Sequence, residues 1–269
     1  PGESGHLDYK LPLAPLPEAS PEARQVRDAD YDTVFAATMA CWEELVRQRV
    51  PFQFPETKVQ EYLVAGTIAN LLAIDRVDGD TITNVNKFHY HDWYGGCDPT
   101  NMLRAMDYLS LHEVTRDGFL FWRKMQFPDG SFKMHRYPHL QYWELFGWTL
   151  WGWHGHYRLT RDRDFLERIY PGVVEACAWQ ERETSNDPLG LWPVSTIGDD
   201  AFLKDCRQTG QQLWTLAGLK YAIYLANEMN QPADAARFAG QYERFRAAFE
   251  RALKAQTDQT GGYLPPALE

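Results

Sequence analysis

The segment from Pro138 to Tyr157, PHLQYWELFGWTLWGWHGHY, constrains the fold more than any other part of the chain. A helix with large apolar side chains on several sides must be buried. The same segment contains the carboxylate of Glu144, and burying an unpaired carboxylate is costly. A wet cavity lined by indole rings satisfies both requirements. Indole faces stack on apolar ring surfaces while polar groups bind hydroxyls, so the segment favours a sugar-binding site.

Apolar residues recur with the spacing of a helix over most of the chain, as Leu213, Leu216, Leu219 and Ile223 illustrate. This spacing predicts helices at residues 31–49, 56–75, 99–116, 118–126, 139–159, 163–183, 208–229 and 232–256. The best strand signal, TITNV at 81–85, is short. The pattern therefore predicts an all-α fold that follows an irregular lead-in over residues 1–30.

Glycine-containing turns follow the second, fourth, sixth and eighth predicted helices, with the sequences VDGDTI, PDGSF, PLGLWP and TGGYLPP. The intervals between Gly79, Gly130, Gly190 and Gly262 are too long and too uneven for a tight solenoid. They fit helical hairpins with short internal turns, whose connecting loops open on one face. Because functional residues concentrate in such loops, we expect the site on that face.

The charge and the lack of long apolar runs exclude several partners. A formal net charge of -10 argues against a nucleic-acid partner, because nucleic-acid binders present basic surfaces. The sequence has no run of about 18 uncharged apolar residues and no basic cluster for anionic lipid, so no membrane partner is expected. The start, PGESGHLDYK, lacks the basic and apolar regions of a signal peptide. We therefore expect a soluble protein, without a prediction of its compartment.

Neither a metal nor another cofactor is expected from the sequence. The four cysteines are far apart and match no CxxC spacing typical of metal sites. His89, His91 and Asp92 could bind a metal, but histidines spaced this way in a loop more often form hydrogen bonds. His154 and His156 lie inside a predicted helix and are expected to be hydrogen-bonded core residues.

Four segments, in this order, resemble the six-hairpin glycosidases with an (α/α)6-toroid fold: glucoamylase, trehalase, processing glucosidase and rhamnosidase relatives. The segments are FHYHDWYGGCD at 88–98, YWELFGWTLWGWHGHYRLTRDRDFL at 142–166, GLWPVSTIGDD at 190–200 and GQQLWTLAGLKYAIYLANEM at 210–229. The resemblance covers residues 55–266. It implies an (α/α)6 toroid that is incomplete, with about four of the six hairpins present. Residues 31–269 are then the N-terminal portion of the catalytic domain.

The resemblance also implies a glycoside hydrolase with two catalytic carboxylates and, by default, inversion at the sugar carbon. Relatives place the general acid in the loop after a GLxP-like segment, which assigns this role to Asp200 or Asp199. Adjacent carboxylates can raise each other's pKa, as a general acid requires. Taken alone, the same pair also fits a helix cap or a solvated loop. The second carboxylate is expected on a segment after Glu269.

Glu144 is the rival candidate for the general acid. In glucoamylase-like relatives a Trp-Glu pair supplies the acid, whereas in other relatives the equivalent acid only holds sugar hydroxyls. A buried glutamate paired to histidine or arginine is the structural alternative. The resemblance further implies an oligosaccharide or glycoside substrate. Among the candidate substrate-binding residues, Trp214 fits a position in the apolar core nearly as well. The predicted substrate-binding residues are His89, Tyr90, Asp92, Trp93, Asp98, Trp143, Trp192, Gln211 and Trp214.

Two other classes of function stay open at the level of sequence. A non-catalytic carbohydrate-binding toroid would keep Trp143 and Trp192 but need no pair of ionisable groups. An α/α-toroid lyase, epimerase or phosphorylase is the third possibility. A lyase acting on uronates favours a basic groove, which the acidic balance of this chain does not support. Activity against aryl glycosides, compared with binding alone, separates the first two classes.

Overall fold

The computed structural model describes residues 9–12, 15–49, 51–77, 79–86, 90–93, 97–133, 142–195 and 205–268. For residues 77, 83–86, 90–93 and 97 only the backbone is described. The chain divides into two compact units, Pro1–Val64 and Ala65–Glu269. The second unit contains the sheet and the six helices that position the candidate site.

The described chain is mostly helical, and the predicted all-α fold class is confirmed. Three strands, β1 (Ile74–Val77), β2 (Asp80–Asn86) and β3 (Tyr90–Trp93), form a small antiparallel sheet in the order β1-β2-β3. The TITNV segment lies within β2. No helix of the described chain is both long enough and apolar enough to cross a membrane. The helices are α1 (Pro21–Asp28), α2 (Tyr31–Gln48), α3 (Thr57–Leu72), α4 (Cys97–Tyr108), α5 (His112–Met125), α6 (Leu145–Thr160), α7 (Arg163–Ser185), α8 (Thr209–Glu228) and α9 (Pro232–Gln259).

Some predicted helix boundaries are wrong. The helix predicted at 139–159 begins only at Leu145, the helix predicted at 56–75 ends at Leu72 before β1, and the lead-in predicted to be irregular contains α1.

The sequence predicted a break at residue 117, but α4 ends at Tyr108 and α5 begins at His112. Ser110 adopts a left-handed conformation with φ 65°, and the Leu111 amide donates to the Met106 carbonyl at 2.9 Å. This turn ends a helix in the way that glycine usually does. Because serine occupies the position, the spacing of apolar residues concealed the break.

A residue with a left-handed backbone conformation lies in the turn within each of three hairpins. Ser110 joins α4 to α5, Arg161 joins α6 to α7, and Asn230 joins α8 to α9. The longer connections between hairpins carry the predicted glycine turns, and positive φ is a conformation that glycine adopts without steric cost. The fourth predicted hairpin, α2–α3, stays a prediction. The glycines with positive φ are Gly79, Gly130, Gly190, Gly261 and Gly262.

Helices α6 and α8 pack side by side and run in the same direction. Near their N-termini, a Cβ on Gly147 would come closer than 3.0 Å to the Trp214 carbonyl, so the two backbones approach closely. Near their C-termini, the Tyr157 hydroxyl donates to Glu228 Oε2 at 2.8 Å. The glycine at position 147 therefore allows a contact that a larger residue would prevent.

Helix α4 is also parallel to α6. A Cβ on Gly152 of α6 would lie 3.2 Å from the Thr100 side chain near the start of α4. Further along, His156 Nδ1 of α6 lies 2.8 Å from Asp107 Oδ1 of α4. Helices α4, α6 and α8 thus form one row of parallel helices, which we call the first row.

Helices α5, α7 and α9 form a second parallel row. Arg116 near the start of α5 donates to Asp162, the N-cap of α7, at 2.7 Å. Arg123 near the end of α5 donates to Glu175 at 3.0 Å. The contacts that join α7 to α9 with the same polarity are Tyr170 with Asp234 and Glu181 with Gln241.

One apolar core unites the two rows. Trp153 of α6 donates its indole N–H to the Phe119 carbonyl of α5 at 3.3 Å. Each hairpin is antiparallel, so the N-termini of the first row and the C-termini of the second row lie at one edge, here called the loop edge. Two such rows are the local arrangement expected of an α/α toroid, and closure into a ring stays a prediction. Fully buried core residues include Leu103, Phe119, Phe146, Leu150, Trp153, Phe165, Leu166, Ile169, Leu219 and Phe238.

Candidate functional site

The packing of α6 against α8 sets Glu144 level with Gln211 at the loop edge. Glu144 occupies the N-cap position of α6, and Gln211 lies in the first turn of α8. Gly147, three residues after Glu144, faces Trp214, three residues after Gln211. Because the two helices are parallel, Glu144 and Gln211 lie at the same level along them. The register therefore sets two residues that are far apart in sequence, and that were both predicted to contact substrate, at the same level of neighbouring helices.

Asp98, in the first turn of α4, lies further from this pair. Thr100 of α4 is level with Gly152 of α6. Asp98, two residues before Thr100, is therefore level with position 150, about six residues after Glu144 in the direction of the helix axes. At about 1.5 Å per helical residue, this offset is about 9 Å along the helix axis. Asp98 is exposed and stays a predicted substrate-binding residue.

Several predicted site residues cannot be placed beside this pair. Asp199, Asp200 and His89 lie outside the described residues. The backbone of β3 includes Tyr90, Asp92 and Trp93, whose side chains are not described. Their roles stay predictions.

Stacked indole rings lie beside Glu144. The ring of Trp143 stacks on that of Trp192 with centroids 4.7 Å apart and planes 10° apart. Trp179 of α7 is tilted against both rings, at 5.9 Å from Trp143 and 4.9 Å from Trp192. Trp192 is fully buried, and its indole N–H donates to the Thr215 hydroxyl. In this arrangement Trp192 supports Trp143, and its predicted contact with a sugar stays a prediction.

The backbone of Trp192 is held by side chains that the sequence did not single out. Its N–H donates to Gln212 Oε1 at 3.2 Å, and its carbonyl accepts from Arg207 Nη1 at 2.6 Å. Arg207 also forms a buried ion pair with Asp187, at 2.6 Å. The composition of the turn around Asp187 was the only feature of the sequence that pointed to this region. The ion pair itself could not be predicted, because two residues that pair across a long loop have no characteristic spacing. These contacts fix the GLWP segment at the loop edge.

Gln211 presents polar atoms that the described chain does not satisfy. The residue is 3% exposed, and neither its amide oxygen nor its amide nitrogen has a hydrogen-bond partner among the described residues. The same holds for Trp143 Nε1 and Gln212 Nε2. Buried polar atoms in native proteins nearly always have partners. Gln211 and Trp143 therefore offer donors and an acceptor that hydroxyl groups can satisfy.

A second group of indoles lies on the first row and is half-buried. Trp148 of α6 contacts Trp214 of α8 with ring centroids 3.7 Å apart, and Trp151 lies 5.5 Å from Trp148. Trp214 is thus packed against other indoles but not fully enclosed, which leaves both of its predicted roles open. Trp148 and Trp151 were not predicted as site residues, although both lie in the most aromatic segment of the sequence.

A buried polar cluster lies toward the other ends of α4 and α6. Asp107 Oδ1 lies 2.8 Å from His156 Nδ1 and 3.0 Å from His112 Nδ1, and its Oδ2 accepts from Arg104 at 2.6 Å. The three potential ligand atoms lie within 4.8 Å of one another, so these side chains could hold a metal ion. However, Arg104 already balances the carboxylate charge, and the contacts have hydrogen-bond lengths. His156 is the hydrogen-bonded core histidine that the sequence predicted.

His154, two residues before His156 on α6, is a neutral aromatic residue at pH 7. Its ring stacks on Tyr221 with centroids 4.6 Å apart. Burial lowers the pKa of His154 to about 4, and the nearby charges of Arg158 and Arg104 act in the same direction. His154 therefore packs between helices rather than exchanging protons near neutral pH, and the hydrogen bond predicted for it is replaced by ring contacts.

Comparison with known proteins reveals one distant similarity. The chain is 26% identical over 203 residues to a protein of Methanocaldococcus jannaschii (strain ATCC 43067) named an uncharacterized glycosyl hydrolase. The aligned part is 72% of this chain and 32% of the relative, so the chain spans about a third of the relative's length. No family model matches the chain, and no solved structure matches it significantly. The similarity suggests a glycosidase family and does not identify the superfamily.

The arrangement at the loop edge suits recognition of a polar ligand with apolar faces. The Glu144 carboxylate lies just before α6, and the Gln211 amide, which has no partner among the described residues, lies in the first turn of α8; the stacked indoles of Trp143 and Trp192 lie in the segments that precede these helices. Side chains on helices are held more precisely than those on free loops. Such a set can bind hydroxyls through hydrogen bonds and sugar rings through stacking.

Proposed function

We propose that this chain contributes to the active site of a glycoside hydrolase whose substrate is an oligosaccharide or glycoside. The observation that carries the proposal is the parallel register of α6 and α8, which sets Glu144 level with Gln211, whose amide has no hydrogen-bond partner among the described residues. The stacked pair Trp143 and Trp192 lies directly beside them. The name of the distant relative supports the same class of enzyme.

In this proposal the general acid comes from the loop between Trp192 and α8. Asp200 protonates the glycosidic oxygen as the bond to the sugar carbon breaks, with Asp199 as the alternative donor. This loop joins the loop edge at Gln208, the N-cap of α8, three residues before Gln211. Glu144 stays ionised and accepts hydrogen bonds from hydroxyls of the bound sugar.

The remaining catalytic step requires a second carboxylate. In an inverting enzyme this group accepts a proton from water as the water attacks the sugar carbon from the opposite face. The proposal places that group on a part of the protein outside the described residues. The two carboxyl groups of inverting enzymes lie about 6.5–9.5 Å apart, which leaves room for the water. An (α/α)6 toroid would supply such a group from a further hairpin.

The test is hydrolysis of glycosides by the full-length protein. A panel of nitrophenyl glycosides, covering common hexoses in both anomeric forms, reports cleavage through release of nitrophenol. Nuclear magnetic resonance of the first anomer formed then distinguishes inversion from retention. Cleavage of one or more members is expected. Sugar binding without cleavage of any aryl or natural glycoside would favour the non-catalytic carbohydrate-binding alternative.

A further inference from the structure

A groove of about 520 Å³ lies between α7 and α9 in the second row. Its volume falls within the range of about 300–1,000 Å³ that is typical of small-molecule sites. The C-terminal end of α7, the turn at residues 187–190 and the middle of α9 form its walls. Residues in this lining include Gln180, Thr184, Leu189, Gln241, Phe245 and Arg251.

The amide oxygen of Gln241 receives no hydrogen bond from the described residues. Gln241 Nε2 donates to Glu181 Oε2 at 2.7 Å. Because an ionised carboxylate only accepts hydrogen bonds, this contact fixes which amide atom is nitrogen. Gln241 Oε1 is buried and has no partner among the described residues, and the whole residue is 3% exposed.

Gln180 repeats this arrangement on the opposite helix. Its Nε2 donates to Thr184 Oγ1 at 3.2 Å, while that hydroxyl donates its own hydrogen to the Gln180 carbonyl at 2.9 Å. The hydroxyl hydrogen is thus committed, so the amide must be the donor in the first contact. Gln180 Oε1 is left buried without a partner among the described residues. Two amide oxygens in one groove therefore lack donors.

The charges around the groove favour a neutral ligand. Glu181 accepts from Arg244, and Asp187 is paired with the buried Arg207, so the acids of the groove are already balanced. Exposed Arg251 adds positive charge at the lip, which disfavours an amine. A hydroxyl group can donate to an amide oxygen and accept from arginine. Leu189 and Phe245 add apolar surface among these polar residues, and such surface suits the faces of a sugar ring.

The groove is connected to the loop edge through two short sets of contacts. Gln180 follows Trp179, whose ring contacts both Trp143 and Trp192. Asp187 of the groove turn binds Arg207, which in turn donates to the Trp192 carbonyl. The groove and the stacked indoles at the loop edge are therefore linked through buried side chains.

We propose that the groove between α7 and α9 is an accessory saccharide-binding site, which holds sugar units of a neutral polysaccharide chain near the candidate active site. Gln180 and Gln241 accept hydrogen bonds from ligand hydroxyls, and Arg251 donates to the ligand at the lip. The choice of a saccharide as the ligand rests on the proposed function, whereas the groove and its unpaired oxygens do not.

The experiment is affinity gel electrophoresis of the full-length protein in native gels that contain soluble starch, dextran, laminarin, galactomannan or xyloglucan. At least one polymer should retard the wild-type protein. Gln241→Met preserves the shape of the side chain but removes its amide, and should weaken that retardation about fivefold to tenfold in Kd. Gln256→Met makes the same change on α9 outside the groove lining and should leave Kd unchanged.

A second variant and a second readout make the outcome decisive. Arg251→Ala changes an exposed residue, so it tests the groove even if Gln241→Met fails to fold. Absence of retardation by all five polymers, or wild-type Kd values for both groove variants, would overturn the proposal. Hydrolysis of a short aryl glycoside should be unaffected by Gln241→Met. If the wild-type protein hydrolyses no glycoside but its polymer binding is weakened by Gln241→Met, the proposed function is rejected and the proposed binding site in the groove is supported.

Discussion

His156 Nδ1 lies 2.8 Å from Asp107 Oδ1, and this buried contact joins α6 to α4. The same carboxylate accepts from Arg104 at 2.6 Å, within α4. The side chains of Arg104 and Asp107 are nearly inaccessible to solvent, so they form a buried ion pair in which each charge compensates the other. The cluster therefore fixes the first row at the end away from the candidate site.

We expect Asp107→Asn to lower the free energy of unfolding by about 3–5 kcal/mol, the range for removing one partner of a buried ion pair. The substitution leaves the Arg104 charge buried without its partner. Urea unfolding followed by circular dichroism measures the change. As a control, Glu113→Gln removes an exposed carboxylate from the first turn of α5 and should cost less than about 1 kcal/mol. Equal effects of the two substitutions would contradict the structural role of Asp107.

Helix positions and glycine turns were predictable because both depend on neighbouring residues. The apolar spacing of α8 and α9 predicted their starts within one residue. Gly130 and Gly190 adopt positive φ as their turn sequences indicated. Ser110 was missed because it uses a conformation for which serine has no strong preference.

The partners of the candidate site were harder to predict, because they are brought together by packing. Asp187 and Arg207 pair across a long connection, and nothing in their local sequence couples them. The level alignment of Glu144 with Gln211 depends on the close approach of α6 and α8, which Gly147 and Gly218 permit. The sequence supplied the residue types of the site, whereas the helix register determines which of them meet.

The close approach of α6 and α8 gives a second prediction. We expect Gly147→Ala to destabilise the protein by about 1–3 kcal/mol or more, because the new methyl group would displace the Trp214 backbone. Gly210→Ala is the matched control on α8, since a Cβ there meets no atom within 4 Å. That change should be neutral or stabilise by about 0.4–1 kcal/mol. Thermal unfolding of both variants tests the pair, and a tolerated alanine at position 147 would contradict the packing described.

His154 provides a prediction about pH. The folded chain keeps His154 neutral down to about pH 4, whereas an unfolded chain protonates histidine near pH 6.5. The unfolded state therefore binds the extra proton, and stability falls as the pH falls from about 6.5 to about 4. The loss over this window is on the order of 3 kcal/mol from this residue.

Replacing His154 by Phe should reduce that pH dependence while keeping an aromatic ring against Tyr221. The measurement is the free energy of unfolding at several pH values between 4.5 and 7.5, for wild type and variant. The wild-type curve should fall relative to the curve of the variant as the pH decreases below about 6.5, because only the wild-type protein has His154 to protonate on unfolding. Parallel curves across the whole window would show that His154 is not the group responsible.

The catalytic assignment gives the last prediction, and it is tested with the full-length protein. Asp200→Asn should lower turnover of a natural glycoside by about 10²–10⁴-fold, because the leaving oxygen loses its proton donor. An aryl glycoside with an activated leaving group needs less protonation and should lose much less. Glu144→Gln should instead weaken both binding and turnover, because it alters the hydrogen bonds to sugar hydroxyls. Asp199→Asn is the neighbouring control and should be milder than Asp200→Asn. If both aspartate variants keep normal activity while Glu144→Gln abolishes cleavage of the natural substrate and spares the aryl one, Glu144 is the acid.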